Sequence, residues 1–277
     1  MIDSNFYAEV WQRARANSSL SSGYRNERAW EDFWNFFSQN YARRNEVSAA
    51  TVEAIVDWLA GEGVLTEDME ALDVGCGPGA YTLPLAARVG RVVGLDSASQ
   101  MLEVLEELAR SRGLGDKVRT IAARWQDVDL SRDFDLVFAA NTPAVNNFET
   151  LMKMGRSSRR YCCLVSFAGN CKLSLRDSLW EVVMGEPLRS AAFDIIYPFN
   201  ILYHDGYRPS LKFFRYSGCH DEPVDYLVEH YTRYFRIFGK DGSDTVERIA
   251  SFIKDRAEGG SCRDGMEATL GVMWWRR

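Results

Sequence analysis

The spacing of apolar residues changes near residue 70, and the upstream part has a helical pattern. Trp30, Phe33, Trp34 and Phe37 recur at positions i, i+3, i+4 and i+7, which places them on one face of a helix. We predict three helices in this part, over about 6–15, over 29–43 and from Ser48 as N-cap to Gly61 or Gly63, with a loop over 18–23.

Downstream of Glu70 the pattern alternates between strands and helices. Continuous apolar runs such as 136–138 and 164–165 have the length of strands that are covered on both faces, as in a parallel sheet. Such alternation is typical of a doubly wound α/β domain. We predict strands at about 71–74, 91–95, 118–122, 134–139 and 161–167, with helices at about 79–88, 97–112 and 148–158.

The last third of the chain is more helical. We predict a helical stretch over 174–204 that is broken at Pro187 and Pro198, and later helices over 223–238 and 244–257. A sixth strand is expected at 211–216 and a seventh at 266–275. The predicted organisation is an N-terminal helical extension or lid over 1–68, followed by an α/β domain over 69–277 with a helical insertion around 174–208.

Composition narrows the classes of protein that fit this pattern. The chain has 277 residues, 46% of them hydrophobic, and a net charge of −6, so a basic nucleic-acid-binding face is not expected. The six cysteines form no C-x-x-C pair and are interpreted as reduced, small apolar residues. Neither a signal peptide nor an apolar run of membrane-spanning length is present. We therefore expect a cytoplasmic protein without a membrane partner.

The histidines do not suggest a metal site. His220 has Cys219, Asp221 and Glu222 as neighbours, but adjacent residues rarely converge on one metal ion. The ligand spacings that are typical of zinc sites are absent. No metal is expected.

The segment after the first predicted strand suggests a ligand-binding turn. Residues 75–80, Gly-Cys-Gly-Pro-Gly-Ala, fit both the dinucleotide pattern G-x-G-x-x-A and the pattern G-x-G-x-G. Asp73, two residues earlier, favours a cationic ammonium group over a pyrophosphate, which it would repel. Asp96, at the end of the second strand, is placed to bind ribose hydroxyls, but both cofactor types need that contact.

These two segments together resemble a known family. Residues 72–79 and 94–102 are similar to the first two motifs of class I S-adenosylmethionine-dependent methyltransferases. The resemblance implies a doubly wound, seven-stranded, mostly parallel sheet with an antiparallel last strand and helices on both faces. It also implies that S-adenosylmethionine lies with its methionyl end over Gly75, Gly77 and Gly79, near Asp73, and with its ribose on Asp96.

Two further segments are assigned by their position in the resemblance. Residues 123–128, after the third strand, correspond to the adenine-contacting segment, although Arg124 stands where the family commonly has an acidic residue. Trp125 either borders the adenine, through its ring or only its backbone N–H, or is a core aromatic. Asn141 and Thr142, after the fourth strand, either contact cofactor or substrate or cap a turn.

The fourth-strand segment also bears on the substrate. Its Asn-Thr-Pro-Ala sequence lacks the second proline and the aromatic residue of the Asn-Pro-Pro-aromatic motif, so methylation of nucleobases or protein amides is not favoured. The predicted cofactor-binding residues are Asp73, Gly75, Cys76, Gly77, Gly79, Tyr81, Asp96, Ser97, Met101, Trp125, Gln126, Asp127, Asn141 and Thr142.

The resemblance predicts methyl transfer to a small or medium-sized molecule. A general base is required only if the acceptor arrives protonated, and the sequence does not identify one. Tyr24, Asn141 and His204 are the candidates. Two other functions stay open, a non-catalytic S-adenosylmethionine-binding accessory or sensor protein and an NAD-dependent enzyme.

Overall fold

The computed structural model describes residues 3–169, 171–189 and 193–277, with the side chains of residues 24, 25, 39 and 41–48 left out. One sheet runs through the molecule. Its strands are β1 (Glu70–Val74), β2 (Arg91–Asp96), β3 (Val118–Ala122), β4 (Phe134–Ala140), β5 (Ser158–Phe167), β6 (Lys172–Leu173), β7 (Ser210–Pro223) and β8 (Ser261–Arg276).

The sheet has the order β3-β2-β1-β4-β5-β8, and β7 pairs along the other edge of β8. Strands β1 to β5 are parallel, whereas β8 is antiparallel to both β5 and β7. This confirms the predicted doubly wound, mostly parallel sheet with an antiparallel last strand. The two-residue β6, which the sequence did not predict, adds an eighth strand beside β8. Because the strand order reverses between β1 and β4, the carboxyl ends of these strands form the topological switch point at which such sheets bind ligands.

Helices cover both faces of the sheet. They are α1 (Ser4–Ala16), a 3₁₀ helix (Ser19–Arg25), α2 (Glu27–Gly61), α3 (Thr82–Ala86), α4 (Ser99–Ser111), α5 (Phe148–Ser157), α6 (Ser174–Met184), α7 (Ile196–His204), α8 (Val224–Arg236) and α9 (Ser243–Lys254). Successive strand residues point to opposite faces, so Leu72 lies in the cluster with α1, α5 and α7, whereas Ala71 lies with α2, α3 and α4.

Several predicted boundaries were wrong. The two helices predicted over 29–43 and from Ser48 are one continuous helix, α2, so Ser48 is not an N-cap. No glycine or proline separates the two apolar stretches, and a single serine in a helix interior costs little. The helix predicted from residue 79 begins only at Thr82, because the glycine turn extends that far. Part of the predicted 18–23 loop is the 3₁₀ helix.

The insertion and the last strands also differ from the prediction. Pro198 does not break a helix but lies in the first turn of α7, where a missing N–H leaves no intrahelical bond unmade. Strands β7 and β8 extend well beyond the predicted ranges and pair with each other from Ser210–Trp274 to Pro223–Ser261. Their extension carries a third apolar cluster formed with α6, α8 and α9.

Helix α2 joins the three parts of the core that border the site. Phe33 packs in the third cluster, Phe37 packs against Met101 of α4, and Val56 is fully buried in the cluster on the sheet. This helix therefore crosses the carboxyl-end edge of the sheet. Within the described residues, no helix has both the length and the apolar character that a membrane span requires.

The packing of α2 on the sheet predicts the effect of shortening one of its side chains. Val56 is 0% exposed, so we expect Val56→Ala to lower the free energy of unfolding by about 2 kcal/mol through lost burial and a small cavity. Val182 of α6 is 38% exposed, and Val182→Ala makes the same chemical change at the surface. Urea denaturation measures both variants, and equal midpoints would contradict the docking of α2.

Candidate functional site

The glycine turn is held against the end of β2. The N–H groups of Gly75 and Cys76 both donate to the Leu95 carbonyl oxygen, at 2.7 and 3.1 Å. The Gly77 N–H donates to the Asp96 carboxylate at 2.9 Å. These bonds fix the backbone of the turn at the carboxyl ends of β1 and β2.

The glycines of this turn serve different purposes. A Cβ on Gly75, whose φ is +68°, would lie 2.0 Å from Oγ1 of Thr142, so the glycine permits contact with the loop after β4. A Cβ on Gly79 would lie 2.5 Å from Cδ1 of Leu105, so that glycine permits helix packing. Gly77, with φ +52°, has no atom within 4 Å of the same position. Gly77 therefore presents open backbone on which a ligand can lie.

Asp96 fixes the glycine turn through hydrogen bonds, and its carboxylate can accept further hydrogen bonds from a ligand. Its two carboxylate oxygens accept from the N–H groups of Gly77 and Ala98, each at 2.9 Å. Burial raises its pKa, and the backbone hydrogen bonds partly oppose that effect. Each carboxylate oxygen has a second lone pair that can accept from a ribose hydroxyl. Beside it, Ser97 is exposed and Met101 is buried against α2.

Asp73 is a buried carboxyl group on the central strand. It is 2% exposed, and the Thr82 hydroxyl donates to it at 2.6 Å. Burial raises its pKa to about 7; the Thr82 hydrogen bond lowers it in part, and the Asp96 charge raises it. Because an adjacent cation favours the ionised carboxyl, an ammonium group beside Asp73 would lower this pKa again. Its neighbour Cys76 is also buried, which raises the pKa of the thiol.

The loop after β4 completes the switch point. Asn141 has φ +47° and its N–H donates to the Val165 carbonyl at 2.9 Å. Oγ1 of Thr142 accepts from the Ala144 N–H at 3.2 Å, so the turn-cap interpretation describes a contact that exists. The same hydroxyl lies against Gly75, so both loops meet here.

The three residues predicted to border the adenine, in the segment after β3, differ in exposure. The Trp125 indole is 1% exposed, and its N–H donates to the Thr150 carbonyl at 3.1 Å, which favours the core-aromatic interpretation. Gln126 and Asp127 are exposed. Arg124 pairs with Asp127 and with Glu27 of α2, both at 2.6 Å. Arg124, which stands where an acidic residue is common in the family, thus links the start of α2 to this loop.

A cavity of about 240 Å³ opens beside the glycine turn. Of the predicted cofactor residues, Tyr81 and Asn141 line it. Its other walls come from α2, from β6 and from the extension of β7 and β8. The remaining lining residues are Trp34, Phe37, Thr51, Val52, Ala80, Leu173, Tyr216, Gly218, His220, Asp264, Gly265, Met266 and Leu270.

His220 and Asp264 line the cavity, although no local sequence motif marks them as site residues. They are directly opposite each other in the β7–β8 pairing. Asp264 is 1% exposed and accepts from the Tyr231 hydroxyl at 3.0 Å and from the Leu175 N–H at 3.4 Å. Longer strand assignments would have revealed this pair, because the register places His220 beside Asp264.

The three candidate bases are placed unequally. His204 lies at the end of α7, where its ring is 4.8 Å from that of Tyr7, and it does not line the cavity. Asn141 lines the cavity, but an amide accepts hydrogen bonds without taking up a proton at neutral pH. The side chain of Tyr24 lies outside the described part. Among the described residues, no group of three or more His, Cys, Asp or Glu side chains is arranged to hold a metal ion.

Comparisons with known proteins agree on the kind of domain. Residues 71–160 match a family model described as a methyltransferase domain. The chain is 28% identical over 157 residues to an uncharacterized protein of Haemophilus influenzae, covering 55% of this chain and 56% of that protein. It is 37% identical over 86 residues to 23S rRNA (uracil(1939)-C(5))-methyltransferase RlmD of Pseudomonas aeruginosa, covering 31% of this chain and 17% of that enzyme. The chain therefore spans less than two thirds of either relative.

A solved structure has the same fold. The chain is similar to magnesium protoporphyrin IX methyltransferase of Synechocystis PCC 6803 with bound SAH, with a TM-score of 0.50 and 18% identity over 68% of this chain and 91% of that chain. The open backbone at Gly77 beside Asp96 fits such a ligand. Residues 71–160 thus match a methyltransferase domain, and the chain shares its fold with a methyltransferase that was solved with bound SAH.

Proposed function

We propose that this protein transfers the methyl group of S-adenosylmethionine to a small or medium-sized molecule. The observation that carries the proposal is the 240 Å³ cavity, which adjoins the glycine turn at Tyr81 and reaches the loop after β4 at Asn141. A pocket with apolar walls and a few polar groups is the usual form of a small-molecule site.

The proposed assignment gives each element of the turn a role. Gly75 and Gly77 support the methionyl end, Asp73 faces its ammonium group, and Asp96 accepts from the ribose. S-adenosylmethionine supplies an activated methyl group when it is bound. The remaining task of the chain is to hold an acceptor in line with that group, and such positioning contributes up to about 7–11 kcal/mol.

Two alternatives receive less support. A non-catalytic binding protein has no need of an acceptor cavity beside the cofactor turn. An RNA substrate is suggested by the RlmD matches, but the first of these covers only 17% of that enzyme. The net charge of −6 and the cover that α2 places over the cavity favour a small acceptor.

A direct experiment tests the proposal. Calorimetry with S-adenosylmethionine and with NAD is followed by incubation of the protein with S-adenosylmethionine and a metabolite extract, with methylated products identified by mass spectrometry. We expect S-adenosylmethionine binding and at least one methylated small molecule. Binding without product would favour the accessory role, and methylation confined to added RNA would contradict the small-molecule proposal.

The assignment of Asp96 predicts a loss of cofactor affinity. We expect Asp96→Ala to weaken S-adenosylmethionine binding by about 1–3 kcal/mol, because hydrogen bonds to a charged group are lost. Asp116→Ala makes the same change at an exposed position before β3. Calorimetry on both variants measures the effect. Equal dissociation constants for the two variants would remove Asp96 from the site.

The two glycines predict separable effects on folding and binding. Gly75→Ala inserts a methyl group against Thr142, so we expect it to lower the free energy of unfolding by about 1–3 kcal/mol beyond the strain of its positive φ. Gly77→Ala faces open space and carries the φ strain alone, yet we expect it to weaken S-adenosylmethionine binding about tenfold or more. Thermal unfolding and calorimetry distinguish them. A Gly77→Ala protein with unchanged affinity would show that the cofactor does not lie on Gly77.

The raised pKa of Asp73 predicts a pH-dependent affinity. Since its pKa is about 7, Asp73 is largely protonated below that pH and must lose the proton to face an ammonium group. Affinity for S-adenosylmethionine should therefore fall as pH drops below 7, by up to about tenfold per unit. Asp73→Asn cannot ionise and should bind weakly with a flatter profile. Parallel profiles from pH 5.5 to 8, an interval that spans the raised pKa of about 7, would exclude the contact.

A further inference from the structure

The walls of the cavity indicate the shape of the acceptor. Four aromatic side chains, Trp34, Phe37, Tyr81 and Tyr216, line it together with aliphatic residues. A buried apolar cavity of about 150 Å³ is large enough for benzene. The cavity beside the glycine turn has about 240 Å³, which suits a flat molecule of one or two rings.

The charges of the walls restrict its chemistry further. Among the residues that the structure describes, no lysine or arginine lines the cavity, so none of these side chains neutralises a carboxylate or phosphate acceptor. The titratable side chains among these described residues are Tyr81 beside the glycine turn, Tyr216 and His220 from β7, and Asp264 from β8. An uncharged acceptor fits these walls.

His220 and Asp264 occupy opposite positions in the two strands of this wall. Residues directly opposite in antiparallel strands have Cβ atoms about 4.5–5.5 Å apart, with both side chains on one face. Tyr216, Gly218 and His220 alternate along β7 and line the cavity from that same face. The carboxylate of Asp264 is fixed by donors from Tyr231, Ser174 and Leu175, so it presents one orientation to its neighbour.

We propose that the methyl acceptor is a hydroxylated aromatic molecule and that His220 is the general base that takes the hydroxyl proton, with Asp264 as its positioning residue. The inference rests on the proposed methyl transfer and names its substrate class. A phenol is protonated at neutral pH and is a weak nucleophile until the proton is removed, whereas a neutral aromatic amine needs no base before it attacks.

The step balances without a further reactant. The phenol oxygen forms a bond to the methyl carbon as the hydroxyl proton passes to an imidazole nitrogen of His220. The carbon–sulfur bond breaks, and its electron pair stays on sulfur, leaving a neutral thioether and a methyl ether. Asp264 favours the imidazolium that forms, since an adjacent carboxylate stabilises the charged ring. His220 then returns its proton to water.

The test uses 2-naphthol and 2-naphthylamine, which share shape and differ in the attacking atom. The full chain, His220→Gln and the control His204→Gln are compared for S-adenosylmethionine affinity, product by mass spectrometry and kcat against pH. We expect methylation of 2-naphthol by the unmodified protein and by His204→Gln. We expect His220→Gln to keep its cofactor affinity and to lose about 100-fold or more in kcat at neutral pH, with partial recovery at high pH.

A second readout does not depend on turnover. In the presence of S-adenosylhomocysteine, 4-nitrophenol bound to the unmodified protein should show phenolate absorbance at a lower pH than when it is bound to His220→Gln. Asp264→Asn should move the acid limb of the kcat profile to lower pH, because loss of the carboxylate makes His220 easier to deprotonate. A merely structural role would lower kcat at every pH without moving that limb. Asp264→Glu keeps the carboxylate, so the acid limb of this variant should stay where it is in the unmodified protein.

The failures are distinguishable. Absence of S-adenosylmethionine binding in the unmodified protein would overturn the proposed function and the inference together. Methylation of 2-naphthylamine but not of 2-naphthol would leave the proposed function standing and overturn the hydroxyl acceptor. An unchanged kcat, or identical nitrophenol titrations, in His220→Gln would overturn the assignment of the base.

Discussion

The contact between the backbone of Gly75 and the side chain of Thr142 determines how the site is built. The two residues follow β1 and β4, the pair of strands between which the order of the sheet reverses. A side chain at residue 75 would overlap the Thr142 hydroxyl, so only glycine lets the loops close on each other. With the loops closed, the open face of Gly77 and the cavity at Asn141 lie beside each other at one edge of the sheet.

Two carboxyl groups, the buried Asp73 and the partly buried Asp96, set the electrostatics of this edge. Burial replaces the water around Asp73 and Asp96 by only a few hydrogen-bond donors, and it raises the pKa of both carboxyl groups. The donors are the Thr82 hydroxyl for Asp73 and two backbone N–H groups for Asp96. Such groups are costly unless they gain partners. A ligand that brings an ammonium group and ribose hydroxyls supplies those partners, so part of its affinity comes from relieving a cost already present in the folded chain.

Local patterns predicted the inner sheet well and the periphery less well. Strands β1, β2, β4 and β5 were found because each contains a short apolar run that is largely buried, whereas the edge strand β3 is only partly buried. Asp73, Gly75 and Asp96 stand at fixed offsets from the runs of β1 and β2. Trp125 was ambiguous because a large aromatic at a strand end fits either a core or a ligand face. His220 and Asp264 are 44 positions apart in the sequence, and only the pairing register of β7 and β8 brings them together.

Local sequence patterns also did not predict that α2 is continuous. An apolar stripe indicates that a helix packs, but the partners of Phe33, Phe37 and Val56 are set by tertiary structure. Ser48 looked like a cap because serine is common there, and the neighbouring sequence contains no residue that forces a break. The continuous helix is stabilised by different partners along its length.

The continuity of α2 has a consequence for how the protein can evolve. Because one rigid rod is anchored in the sheet at Val56 and among the outer helices at Phe33, a repacking at either anchor tilts the wall of the cavity formed by Trp34 and Phe37. Variation far from the acceptor can therefore reshape the space that receives it. Drift in the outer helices is a route to new chemistry that leaves the glycine turn untouched.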